Sequence, residues 1–135
     1  MSPEMMLVLA LGGILVLILL GFVVKKAPKG LNKEQFQKQW LDLLSSVKTP
    51  EGMSLAVIEA DKLLDCALKK RGFKGKTMGE RLVSAQRQLT DNDAVWQAHK
   101  LRNRLVHEPG VRVKSFEAKR SLASFRQALR DLGAL

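Results

Sequence analysis

The chain has 135 residues, room for one soluble domain, and a formal net charge of +10 at neutral pH. One cysteine, Cys66, excludes an internal disulfide framework and suits a reducing compartment. The charge is unevenly spread: all 23 lysines and arginines and all but one of the 13 acidic residues follow the first 24 positions, so the remainder carries 23 basic against 12 acidic groups, a net +11. Such a domain attracts anions, of which lipid headgroups and nucleic acid are the two general classes.

Residues 5–24 form an uninterrupted apolar run. As a helix it rises about 30 Å, the thickness of a bilayer's hydrocarbon core. Glu4 precedes it where a cleaved signal would carry lysine or arginine, no small-residue cleavage site follows, and the run is longer than a signal core. The expectation is a single-pass membrane anchor over 1–24. Lys25, Lys26 and Lys29 directly after it predict that the C-terminal side is cytoplasmic. A basic linker, residues 25–30, extends at most about 20 Å, which keeps the domain of residues 31–135 near the headgroups.

The rest reads as helices. Asn32 caps the first, with Gln35 three residues on, Leu31 and Phe36 placed as a staple, and Phe36, Trp40, Leu43, Leu44 and Val47 as its stripe. Thr49-Pro50-Glu51 opens the second, which stops at Gly72 and turns Val57, Ala60, Leu64 and Leu68 to one side, with Ala56, Leu63 and Ala67 beside them. Thr77 and Glu80 predict a short helix to about Leu89. Residues 90–93 form a turn and cap before a helix over 94–107, which Pro109 ends. The last, about 115–132, is expected to bury Phe116, Leu122, Phe125, Leu129 and Leu132. With no strand pattern and no repeat, the fold class is all-α: a transmembrane helix followed by a bundle of four or five helices.

The helix over 94–107 has two apolar sides. Ala94, Ala98, Leu101 and Leu105 form a core-facing stripe, and Val95, Trp96, His99, Asn103, Val106 and His107 lie opposite. Either the helix is buried all round in its own bundle, or the second face meets another copy, a homodimer interface through Trp96, Asn103 and His107.

That helix ends in Arg102-Asn-Arg-Leu-Val-His107-Glu108, which places a fixed cation, an amide and a group that titrates near neutrality at one helix terminus. The segment resembles the Arg-polar-x-x-x-His signature of the HEPN superfamily, all-α domains that often act as metal-independent endoribonucleases; with Glu108 it matches a form common in bacterial HEPN toxins. The resemblance covers roughly residues 50–132. It implies a catalytic set of Arg102, Asn103 and His107, RNA as substrate, a use in defence or stress, and a cleft shared by two chains. Tyrosine, which several such toxins carry two residues after the histidine, is replaced here by Pro109, and the chain has no tyrosine at all, so control by modification there is excluded.

The chemistry suits RNA cleavage without metal. A base takes the ribose 2′-hydroxyl proton, an acid protonates the leaving oxygen, His107 serves one of these roles, Arg102 stabilises charge and Asn103 orients. One histidine cannot be both acid and base at once; two chains supply two. The alternative is structural: Asn103 and His107 bond each other, and Arg102 pairs with Asp61, Asp65 or Glu108. A helical interaction module that binds RNA or a protein partner at the membrane then remains.

Lys69, Lys70, Arg71, Lys74 and Lys76, with Phe73 among them, form a basic loop. It can hold RNA phosphates with Phe73 stacking a base, touch anionic lipid, or simply end a helix in solvent. No metal or cofactor is expected: His99 and His107, the only histidines, stand about 12 Å apart along one helix.

Overall fold

A computed structural model describes residues 1–26 and 30–135. It is helical throughout, with no strand among the described residues. The helices are α1 (Pro3–Lys26), α2 (Lys33–Leu44), α3 (Pro50–Lys70), α4 (Met78–Ala85), α5 (Asn92–His107) and α6 (Ser115–Asp131).

α1 is long and apolar enough to cross a membrane, and none of its apolar window is buried by the rest of the chain. It runs through Lys25 and Lys26, so the expected linker begins inside the helix; Ala27, Pro28 and Lys29 lie outside the described residues.

Local chemistry sets the helix starts. The side-chain oxygens of Asn32, Thr49 and Thr77 each accept the backbone N–H three residues on, at 3.2, 2.9 and 3.2 Å, and satisfy a donor the helix cannot. Asp91 does the same for α5 at 3.0 Å, starting it two residues earlier than its apolar pattern suggests. α3 stops where Gly72 adopts a φ of +83°, with Gly72 N–H bonded to Lys69 O and Phe73 N–H to Leu68 O. This Schellman closure needs a residue that tolerates the left-handed region. Between α2 and α3 the chain doubles back so tightly that a Cβ on Gly52 would collide with the Ser46 carbonyl oxygen.

α3 lies at the centre and packs on α2, α4, α5 and α6, while α5 also packs on α6. Its predicted inner residues, Ala56 and Val57 through Leu68, are buried with Phe36, Trp40, Leu82, Phe125 and Leu129 in one core. α4 ends at Ala85, short of the expected Leu89. There the backbone tightens to three-residue bonds, such as Gln88 N–H to Ala85 O at 2.8 Å. That turn seats Leu89 in the core and brings Thr90 to Asp131, whose carboxylate accepts both the Thr90 N–H and hydroxyl at 2.7 Å.

Phe116 departs from expectation: it is 60% exposed rather than buried. The buried stripe of α6 is Ala118, Ser121, Leu122, Phe125, Ala128 and Leu129. Nine residues at about 100° each place Phe116 opposite Phe125 on the helix.

Candidate functional site around Asp61, His99, Arg102 and Asn103

α3 and α5 each carry polar groups on faces that otherwise bury apolar ones. On α3 these are Asp61 and, one turn on, Asp65; on α5 they are His99, Arg102 and Asn103. Asp61 is 2% exposed, so its carboxylate requires partners. It has them. His99 Nδ1 lies 2.7 Å from Asp61 Oδ1, and Arg102 Nε lies 3.3 Å from Asp61 Oδ2. Arg102 Nη1 donates to Asn103 Oδ1 at 2.9 Å, and Asn103 Nδ2 reaches His99 Nε2 at 3.4 Å.

The four side chains close a ring. One set of protons satisfies it: His99 Nδ1–H donates to Asp61, and His99 Nε2 accepts from the Asn103 amide. The Arg102 Nε contact is one of charge, since the N–H is not directed at the carboxylate and makes no hydrogen bond. A neutral imidazole leaves one negative and one positive charge, which compensate.

Trp96 closes the ring from one side, its indole edge-on to His99 with centroids 5.9 Å apart and planes at 77°. Gly79 of α4 lies alongside, where a Cβ would meet the indole at a contact distance of 3.4 Å. The other side opens on a recess of about 460 Å³ that Asp61, Asp65, Thr77, His99, Arg102 and Asn103 help to line.

The structure thus brings Arg102 and Asn103 together, as the motif suggests, but the histidine beside them is His99. His107, the last residue of α5, is exposed, and its side chain makes no hydrogen bond among the described residues. Of the alternative pairings, Arg102 takes Asp61, and Asn103 bonds Arg102 and His99 rather than His107. The second face of α5 divides. Val95 and His99 are buried within the bundle and Trp96 partly so, whereas Val106 and His107 face outward.

Sequence reasoning missed the neighbouring pair of Arg81 and Asp65. Arg81 is 7% exposed and grips Asp65 through Nε at 2.6 Å and Nη2 at 3.0 Å, while Nη1 donates to Gly75 O at 2.7 Å. This two-pronged bond ties α4 to α3 beside the recess. The signal was present: Arg81 falls on the apolar stripe of α4 with Met78, Leu82 and Ala85, and a charge there must find a partner.

Desolvation by burial pushes the Asp65 carboxyl up, but hydrogen bonds and charge from Arg81 and Lys69 outweigh it and hold Asp65 below the ordinary aspartate value. A carboxyl depressed in the fold stabilises it above the unfolded value near about 4 and loses that contribution as pH falls through the folded value. Acid titration of unfolding stability is therefore expected to show a loss below pH of about 4, with a shallower slope in Arg81→Met. Equal acid slopes would contradict the assignment.

The basic loop is less free than its composition suggests. Lys69 pairs with Asp65 at 3.2 Å, Lys70 stands 5.7 Å over the Phe36 ring, and half-buried Arg71 caps α3. Lys74 and Lys76 are exposed. Phe73 packs partly buried against the core. Among the described residues no three His, Cys, Asp or Glu side chains gather as a metal site would require.

Comparison with protein-family models, curated proteins and solved structures gives no match.

Proposed function

We propose that this chain is a membrane-anchored, HEPN-like domain that acts on RNA: a metal-independent endoribonuclease that works as a dimer, with α1 in the membrane and the bundle on the cytoplasmic side. The observation that carries the reading is the placement of Arg102 and Asn103. A buried Asp61–His99 pair orients both at the mouth of an open, polar recess, and His107 stands exposed one turn beyond Asn103.

In this reading Arg102 holds the scissile phosphate through the guanidinium edge that the ring leaves uncommitted. His107 takes the 2′-hydroxyl proton, and the second copy's His107 protonates the leaving oxygen. His99 is committed on both ring nitrogens and serves to position.

RNA incubated with the full-length chain and a chelator tests it. His107→Ala is expected to slow cleavage by about 10²–10⁴-fold, the usual worth of one acid–base group, and Arg102→Ala by about 10²–10³-fold, that of one donor to the developing charge. Cleavage equal in parent and variants would end the nuclease assignment.

One observation favours a second reading. Arg102 is already paired with Asp61 and Asn103, an arrangement with compensated charge. A non-catalytic module that binds RNA or a protein at the membrane then follows, and RNA retained by parent and His107→Ala alike, with no cleavage by either, would establish it.

A further inference from the structure

Away from the recess, α2 and α6 flank an apolar groove of about 430 Å³. Its floor is Trp40, Leu44, Val47 and Met53, its rim carries Lys119 and Arg126, and no carboxylate lines it. Leu41 in its wall is 66% exposed, and Phe116, on α6 outside its lining, is 60% exposed. On α6, Phe116, Lys119, Ala123 and Arg126 follow one another at three- and four-residue steps and so share a face. Leu41 and Phe116 are left uncovered by the bundle, Leu44, Val47 and Met53 are half-buried, Trp40 is buried at the floor, and both cations at the rim are exposed.

We propose that this groove is a docking face for an anionic lipid bilayer, on which the domain lies beside its own anchor. The inference rests on reading α1 as a membrane span. Six residues, 27–32, separate the end of α1 at Lys26 from the start of α2, one wall of the groove, at Lys33. That stretch reaches about 25 Å when extended, which keeps the start of α2 near the headgroups. A bilayer surface offers what the face needs: an acyl boundary for Leu41 and Phe116, and phosphates for Lys119 and Arg126. Nucleic acid would satisfy the cations and leave the apolar groups wet. The groove shares no lining residue with the recess, which α3, α4 and α5 build.

The test uses the full-length chain reconstituted into phosphatidylcholine vesicles with and without phosphatidylglycerol, their acyl chains brominated to quench tryptophan at short range. Trp40 and Trp96 are the only tryptophans, so Trp96→Phe isolates the reporter in the groove. Trp40 is expected to be quenched in anionic vesicles and much less in neutral ones. Each basic residue near an anionic surface is worth about fivefold in the docked ratio, so Lys119→Gln with Arg126→Gln should lower that ratio by about thirtyfold. Leu41→Asp should also release Trp40, and thermal melts followed by circular dichroism check that each variant keeps its helices.

Quenching that ignores lipid charge and these substitutions would overturn the proposal. So would protection of Trp40 that follows protein density, which assigns the groove to a second copy, or loss of RNA retention on the Lys119 and Arg126 changes with Trp40 unquenched, which assigns it to nucleic acid. Alkaline carbonate extraction separates the underlying readings: a chain that washes out defeats the anchor and the docking together, whereas a retained chain with unquenched Trp40 defeats docking alone.

Discussion

Asp61→Ala is expected to lower the unfolding free energy by about 3–5 kcal/mol, the cost of removing one partner from a buried charge pair. The loss goes beyond one contact. His99 would keep a buried Nδ1–H with no acceptor, and Arg102 would keep a cation with no counter-charge on α3. Against a usual total of about 5–15 kcal/mol this leaves the bundle marginal. Asp61→Asn is expected to cost less, since its amide oxygen can still accept from His99 while the charge facing Arg102 is gone. Chemical denaturation of the full-length chain measures both. A loss below about 1 kcal/mol for Asp61→Ala would mean that the ring does not hold α3 to α5.

Phe125→Ala should be comparably severe, about 3–5 kcal/mol, because a fully buried ring is removed and the surrounding helices can only partly close the cavity. α6 uses this side chain against the core that α3 and α5 share with it. Phe116→Ala, in the same helix, is expected to change folding stability by no more than about 0.5 kcal/mol, as for other exposed sites. Thermal or denaturant unfolding of the two variants side by side checks the contrast, and similar losses would contradict the orientation of α6.

The two phenylalanines show what counting apolar residues misses and the helix period supplies. Both are large, apolar and within one predicted helix, and a count treats them alike. The period separates them: Phe125 shares a side with Leu122, Leu129 and Leu132, and Phe116 stands opposite. Asp61 and Arg81 show where sequence reading stops. Each stands on an apolar stripe, a warning that it is buried, but the side chain that answers it comes from another helix. His99 lies 38 residues from Asp61, and Asp65 lies 16 from Arg81. At the Arg102-Asn103 segment the helix spacing shows which residues share a face, and that much is legible. It cannot show that His99, four residues before Asn103, takes the inner position while His107, four residues after, stays in solvent.

By itself, the amino-acid order determined the helical class, an apolar first helix of membrane length, the cap residues Asn32, Thr49 and Thr77, the stop at Gly72 and the inner face of α3. These depend on interactions between residues a few positions apart, through backbone bonds, caps and the period of the helix, and such interactions are written in neighbouring letters. Tertiary packing alone decided the ring that joins α3 to α5, the Arg81 clasp beside it, the partial burial of Phe73 and the bare groove between α2 and α6. Those depend on which helix faces are pressed together, and that follows from the shape of the whole core.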